Sequence, residues 1–178
     1  DLAKIEAGRM TINETSFNFR NLLYDLDNLF RLQAVQKGLN FNFVSRTPLP
    51  EFIKTDEIKL RQVLINLISN AIKFTKQGEV LVKISAENYD DSSSDFCNID
   101  PTKNKLYFEI SDTGYGISPE ELEMIFEPFE QSQTGRKSQQ GTGLGLAISR
   151  TFIQLMGGEL QVKSEVGKGT TFKFTMKI

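Results

Sequence analysis

The stretch from Arg61 to Thr75 predicts one helix with two different faces. Apolar residues in and just before it recur at helical spacing, which indicates a broad stripe that packs into a core. These residues are Leu60, Val63, Leu64, Leu67, Ile68, Ala71 and Ile72. Asn66, Asn70 and Lys73 project together from another face, at intervals of four and three residues. That face is either an ordinary solvated surface or a binding site, and the helix alone does not decide between them.

The composition is that of one ordinary globular domain. The chain has 178 residues, of which 39% are hydrophobic and 25% charged. Its net charge of -2, without a basic cluster, indicates neither a nucleic acid nor direct membrane contact. No histidine is present, which excludes histidine-based triads and histidine metal ligands within this chain. No apolar run is long enough to cross a bilayer and no secretion signal is evident, so we expect a cytoplasmic domain.

Further helices and strands are predicted on both sides of the central helix. An amphipathic helix is expected from Phe19 to Gln36. Its apolar stripe consists of Leu22, Leu23, Leu26, Leu29, Phe30 and Ala34. Alternation of apolar and polar residues predicts strands at 10–17, 39–45, 52–54, 79–86, 105–111, 160–164 and 171–178. We expect 79–86 to pair with 105–111 and the last two strands to form a second hairpin.

Three other segments have a different character. Residues 1–7 predict a short helix that continues a longer helix upstream. Residues 90–104 are polar and acidic, which is typical of a long loop insertion. Residues 127–141 are mostly polar and contain Arg136, and they predict a lid.

Two glycine-containing motifs predict that a ligand approaches the backbone. Asp112 ends a predicted strand and is followed by Gly114 and Gly116, which offers a carboxylate beside a tight turn. The run 141–146, Gly-Thr-Gly-Leu-Gly-Leu, opens onto a helix, an arrangement that binds phosphate through backbone N–H groups. Asp-x-Gly is also a common turn, so that motif alone is not decisive. The spacing excludes the dinucleotide fingerprint and the Walker loop, and the lack of histidine excludes the usual protein-kinase loop.

Together, four segments in this order resemble the ATP-binding domain of sensor histidine kinases. They are residues 66–75, 112–117, 126–129 (Phe-Glu-Pro-Phe) and 141–146. That domain belongs to the superfamily of DNA gyrase B and heat-shock chaperone ATPases. The resemblance implies a two-layer α/β sandwich, with a mixed, mostly antiparallel sheet against helices and ATP between helices and lid. It covers residues 11–178 as the catalytic domain, while residues 1–10 resemble the end of the preceding dimerisation and phosphoacceptor helix.

The resemblance also implies roles for single residues. Asn70 resembles the Mg²⁺ ligand that bridges to the phosphates of ATP, and Asn66 lines the same site. Asp112 resembles the carboxylate that accepts the adenine amino group, in a pocket shaped by Gly114 and Gly116. Two cationic side chains, Lys73 and Arg136, are candidates for phosphate contacts. The other candidates for nucleotide contacts are Phe74, Phe129, Gly141, Thr142, Gly143, Leu144, Gly145 and Thr170.

The residue at position 66 separates the subclasses of this superfamily. Gyrase-like and chaperone-like members place a water-activating glutamate there, whereas the amide of Asn66 cannot take a proton from water. This favours a protein-histidine kinase over a clamp-type ATPase or a nucleotide-sensing module without transfer activity. The phosphoacceptor histidine would lie on the upstream domain, so this chain alone is not expected to autophosphorylate. The other implied partners are a response-regulator receiver domain and, in the full-length protein, a second copy of it.

Overall fold

The computed structural model describes residues 10–87, 105–127 and 145–178. Its helices are α1 (Phe19–Lys37), α2 (Glu57–Phe74), α3 (Pro119–Leu122) and α4 (Gly145–Leu155). Its strands are β1 (Thr15–Asn18), β2 (Asn40–Ser45), β3 (Phe52–Thr55), β4 (Glu79–Glu87), β5 (Lys105–Asp112), β6 (Leu160–Glu165) and β7 (Gly169–Lys177). The predicted 1–7 helix, the 90–104 insertion and the lid beyond Glu127 lie outside the described residues.

Five strands form the main sheet, in the order β2-β4-β5-β7-β6. The β2–β4 pair is parallel and the other three pairs are antiparallel, which confirms the mixed, mostly antiparallel sheet. The two predicted hairpin pairings, β4 with β5 and β6 with β7, are both present. Strands β1 and β3 form a separate antiparallel pair.

The helices cover one face of the main sheet, and the core lies between the two layers. The rings of Phe108 in β5 and Phe174 in β7 stack with centroids 4.5 Å apart, and Phe19 of α1 meets Phe108 edge-on at 6.2 Å. The opposite sheet face is polar, and there Glu109 forms ion pairs with Lys83 at 3.1 Å and with Lys173 at 3.7 Å. This confirms a two-layer α/β sandwich.

The central helix forms as its sequence predicts. All seven residues of its predicted apolar stripe are buried. Asp56 caps its N-terminus by accepting a hydrogen bond from the backbone N–H of Lys59. Within the described part of the chain, no helix is both long enough and apolar enough to cross a membrane.

Two sequence expectations were wrong. Leu29 is 46% exposed, because it lies at the edge of the α1 stripe, whereas the other five predicted members are buried. The strand expected at 10–17 forms only from Thr15, since its partner β3 offers four residues for pairing. Before Thr15 the backbone bonds to a side chain and not to a neighbouring strand: the N–H of Asn13 donates to Oδ2 of Asp56 at 3.0 Å.

Candidate functional site

The polar face of α2 lies against the start of α4. Nδ2 of Asn66 donates to the Gly145 carbonyl and to Oγ of the buried Ser149, both at 3.2 Å, while its Oδ1 accepts from Gln62 at 3.1 Å. A Cβ atom added at Gly145 would meet the Asn66 amide at 3.7 Å, which is an ordinary contact. Asn66 therefore joins α2 to the helix that follows the glycine run, and it is not a residue of a solvated face.

Asn70 and Lys73 continue this face toward the C-terminus of α2. Both side chains are half-buried. The Asn70 amide has no hydrogen-bond partner among the described residues, so its oxygen is available to a ligand. The ammonium of Lys73 lies 5.5 Å from the ring centroid of Phe74, and burial lowers the pKa of Lys73. These side chains offer a neutral oxygen ligand beside a cation.

Asp112 ends β5 with one carboxylate oxygen bound and the other unbound. Its Oδ1 accepts the backbone N–H of Gly114 at 2.9 Å and that of Thr170 at 3.3 Å. Oδ2 has no hydrogen-bond partner among the residues described. Burial raises the pKa of Asp112 to about 6, although both hydrogen bonds act in the opposite direction. The fixed carboxylate thus presents one free acceptor atom.

The turn after Asp112 requires glycine at both predicted positions. A Cβ atom at Gly114 would overlap the Phe74 carbonyl oxygen and lie 2.9 Å from Oδ1 of Asp112. Gly116 has a φ of 75°, and a Cβ atom there would overlap the carbonyl oxygen of Glu165. The backbone can approach α2 and the β6–β7 turn this closely only because both side chains are missing.

Thr170 contributes through its backbone and through a small hydroxyl network. It is the cross-strand partner of Asp112, so the register of β5 and β7 brings its N–H to the carboxylate. Its Oγ1 lies 2.7 Å from Oγ of Ser164, which also accepts the backbone N–H of Ile117 at 2.7 Å. Sequence reasoning missed Ser164 and Ser149. Ser149 lies three residues after Leu146 and three before Phe152, so a polar residue on the apolar face of α4 was its signal.

Several predicted site residues cannot be placed in this geometry. Six of them lie outside the described residues: Phe129, Arg136, Gly141, Thr142, Gly143 and Leu144. On either side of that gap, the guanidinium of Arg150 in α4 lies 5.1 Å from the ring centroid of Phe126. A cavity of about 650 Å³ adjoins the glycine turn and is lined partly by Tyr115 and Val166. Neither Asp112 nor Asn70 lines it.

Comparison with known proteins identifies the class of this domain. Residues 55–178 match the family described as histidine kinase-, DNA gyrase B- and HSP90-like ATPase, and the chain belongs to this family. The family expected from the four motifs is therefore confirmed.

Individual relatives narrow the comparison. The chain is 43% identical to the aerobic respiration control sensor protein ArcB of Escherichia coli (strain K12) over 99% of its own length and 21% of the relative. It is 36% identical to the autoinducer 2 sensor kinase/phosphatase LuxQ of Vibrio vulnificus, over all of this chain and 20% of the relative. The chain thus spans about a fifth of the length of these relatives.

Solved structures of histidine kinases have the same fold. Full-length ShkA in complex with AMPPNP matches with a TM-score of 0.76 and 33% identity, covering 98% of this chain and 33% of that one. The catalytic domain of the histidine kinase ThkA matches with a TM-score of 0.67 and 28% identity, covering 92% and 97%. The ThkA match thus spans nearly all of that catalytic domain.

Proposed function

We propose that this chain is the catalytic domain of a sensor histidine kinase, which binds Mg·ATP and positions its γ-phosphate for transfer to a histidine on an upstream helical domain. Residues 11–178 would form this domain and residues 1–10 the end of the phosphoacceptor helix. The observation that carries the proposal is the carboxylate of Asp112, which is fixed by two backbone N–H groups and has one oxygen without a partner in the part of the chain that the structure describes. AMPPNP in the ShkA complex is an ATP analogue, which is consistent with this role.

Asp112 is suited to recognise adenine. An ionised carboxylate only accepts hydrogen bonds, and the exocyclic amino group of adenine donates them. Because Oδ1 is held by the Gly114 and Thr170 N–H groups, the direction of Oδ2 is set before the nucleotide arrives. A hydrogen bond to a charged acceptor in a half-buried pocket is stronger than one between neutral groups. This arrangement would select adenine over bases that lack an amino group at that position.

The described residues fit a magnesium ion that is held jointly by the protein and by the nucleotide. No group of three or more acidic or cysteine side chains among them is placed to hold a metal unaided. Mg²⁺ commonly binds one or two protein oxygens together with phosphate oxygens and water. The half-buried amide of Asn70, which has no hydrogen-bond partner among the described residues, offers one such oxygen. When bound, the ion would neutralise phosphate charge, and Lys73 would add a second positive charge nearby.

Asn66 supports phosphoryl transfer over hydrolysis. Its amide cannot act as a general base, and both ends of that amide already bond to other parts of the protein. The site then contributes positioning and charge stabilisation, which account for most of the catalysis in phosphoryl transfer. We include in the proposal a response-regulator receiver domain as the next phosphate acceptor, a homodimer of the full-length protein and a cytoplasmic location.

Labelling with [γ-³²P]ATP tests this function. The full-length protein should acquire an acid-labile, alkali-stable phosphate, as a phosphohistidine does, and this chain alone should bind Mg·ATP without becoming labelled. Full-length protein carrying Asn70→Ala is the matched control and should label far more slowly. Rapid ATP hydrolysis without a protein-bound phosphate would instead favour a clamp-type ATPase, and binding without hydrolysis or transfer would favour a nucleotide-sensing module.

A further inference from the structure

The C-terminal end of α2 has an unusual set of hydrogen-bond donors. An α-helix leaves its last carbonyl groups without partners inside the helix. In α2 the carbonyls of its last three residues all accept hydrogen bonds from other elements. Nζ of Lys37 donates to Ile72 at 2.6 Å and to Lys73 at 2.9 Å, and the backbone N–H of Tyr115 donates to Phe74 at 3.4 Å. One side chain from α1 therefore supplies two of the three bonds.

Lys37 is well placed for this task. It is the last residue of α1, and the left-handed Gly38 that follows turns the backbone into β2. Its ammonium lies at the C-terminus of α2, which is the negative end of the helix dipole, and a cation there stabilises the helix. Among the described residues, no carboxylate forms an ion pair with it, so the α2 carbonyls are its main partners. Lys37 is an exposed residue, and partial burial of its ammonium lowers the pKa of Lys37.

The turn that Lys37 holds carries several of the predicted nucleotide contacts. Lys73 and Phe74 belong to it, and Asn70 begins it. The same turn bonds through Phe74 to Tyr115, in the glycine turn that follows Asp112. If the carbonyls lost their donors, the last turn of α2 would fray, and the phosphate-facing side chains would lose their fixed direction.

We propose that Lys37 is a positioning residue for the nucleotide site: its ammonium fixes the last turn of α2, so that Asn70 and Lys73 face the phosphates. The inference rests on the proposed function, because these two residues are the phosphate and metal contacts only if ATP binds here. Lys37 itself does not touch the nucleotide. It acts through the carbonyls of Ile72 and Lys73.

Calorimetry on Lys37→Met and Lys37→Arg tests the inference. Methionine keeps an unbranched chain without donors, so the Kd for Mg·ATP should rise about 3- to 10-fold, the range expected for the loss of a hydrogen bond to a backbone carbonyl. Arginine keeps the charge and the donors, and its Kd should stay within about 2-fold of wild type. Adenosine, which has no phosphates, should lose less affinity than ATP in Lys37→Met. A merely structural role would not separate these two ligands.

Arg20→Met is the matched control. Arg20 lies on the same helix and also donates twice to a backbone carbonyl, from Nε and Nη2 to Leu49 at 3.2 and 2.7 Å, but away from the site. The Arg20→Met variant should have a lower melting temperature than the wild type and an unchanged Kd for Mg·ATP. Should Lys37→Met not fold, as judged by circular dichroism, Lys37→Gln, which keeps neutral donors, takes its place and should show the same loss in smaller measure.

The outcomes separate this inference from the proposed function. If the wild-type chain does not bind Mg·ATP, the proposed function is wrong, and the inference about Lys37 is wrong as well. If the wild-type chain binds, but the substitution of Lys37 leaves the Kd unchanged or weakens ATP and adenosine equally, only the inference fails. An equal rise in Kd in Arg20→Met would also overturn it, because the effect would then follow general stability.

Discussion

The backbone N–H of Thr170 lies 3.3 Å from Oδ1 of Asp112, its partner across β5 and β7. Together with the N–H of Gly114 it occupies one oxygen of the carboxylate, and the other oxygen has no partner among the described residues. Residues more than 50 positions apart are thus joined by strand register at the centre of the site.

Asp112→Ala should weaken the binding of adenine nucleotides by about 10- to 150-fold. The loss of a hydrogen bond to a charged group corresponds to about 1.5–3 kcal/mol. Isothermal titration of Mg·ADP measures this effect, with circular dichroism to verify the fold. Asp25→Ala, at an exposed site on α1, is the control and should bind as the wild type does. Unchanged affinity in a folded Asp112→Ala protein would refute the adenine assignment.

The affinity for adenosine should fall as the pH falls through about 6. The pKa of the Asp112 carboxyl is raised to about 6 by burial. Below that pH the proton goes to Oδ2, because Oδ1 already accepts two N–H groups, and a protonated Oδ2 no longer offers a lone acceptor. At pH 5 roughly a tenth of the groups are ionised, so binding should be about tenfold weaker than at pH 8. Nuclear magnetic resonance titration across this range measures it.

Asp112→Asn supplies the control for this pH dependence. An amide does not titrate here, so its weaker affinity should vary little between pH 5 and 8. Adenosine avoids the titration of the phosphates. A wild-type profile as flat as that of Asp112→Asn would show that the carboxylate does not carry the pH response.

Asn70→Ala should remove the magnesium-dependent part of the ATP affinity. Alanine has no oxygen ligand, and Asn70 makes no bond among the described residues that would change the fold when lost. Titrations with and without Mg²⁺ give the difference directly. Leu67→Ala on the buried face of the same helix should instead cost about 2–5 kcal/mol of stability, since Leu67 is fully buried. Intact magnesium dependence in Asn70→Ala would make Asn70 an ordinary surface residue.

Asp56→Ala should destabilise the domain at neutral pH. Asp56 is only 3% exposed, and it accepts hydrogen bonds from the N–H of Asn13, the N–H of Lys59 and Nζ of Lys59. Losing the cap and leaving these donors unpaired should cost about 1–3 kcal/mol. Chemical denaturation of variant and wild type measures the free energy of unfolding. Glu57→Ala is the control, because Glu57 is the next residue along the chain and is half-exposed. This substitution should lower the free energy of unfolding by less than about 1 kcal/mol.

The same comparison predicts a pH dependence of stability. Burial alone would raise the pKa of Asp56, but the hydrogen bonds from Asn13 and Lys59 outweigh it and hold the pKa below its usual value. A carboxyl whose pKa is lowered by folding stabilises the protein above its unfolded pKa, and this contribution is lost as the pH falls. The difference between wild type and Asp56→Ala should therefore shrink below about pH 4. A difference that is constant down to pH 3 would contradict it.

Local patterns predicted most of the fold, because the apolar periodicity of each element is written within that element. The buried stripe of α2 and the alternation in β4 and β5 are examples. The pattern did not show that Leu29 is exposed. How much of α1 is buried depends on the tertiary packing of the elements around it, which the sequence of α1 does not contain. It also did not show that β1 is four residues long, since that length depends on a distant partner, β3.

The candidate site was likewise predicted only in part from the sequence. Asn66, Asn70 and Asp112 were predicted as site residues because their residue types and spacings carry a signal in the sequence. The bonds that hold them were not predicted. Thr170 was expected as a nucleotide contact, but its N–H reaches Asp112 through strand register, and Ser149 accepts the Asn66 amide through the packing of two helices. Lys37 gave no site signal, since a lysine at a helix end is ordinary and only the position of α2 makes it a double donor.

Asn66→Ala and Ser149→Ala should not have additive effects. The Asn66 amide donates to Oγ of Ser149, and the same amide holds the Gly145 carbonyl at the first residue of α4. A double-mutant cycle on the free energy of unfolding should give a coupling of about 0.5–1.5 kcal/mol, as for a hydrogen bond between partly buried groups. Thr151→Ala replaces Ser149→Ala in the control cycle, because Thr151 bonds within α4 to Ala147 at 3.0 Å, and its coupling to Asn66 should be near zero. Equal couplings in the two cycles would mean that Asn66 stabilises α4 without a specific bond to Ser149.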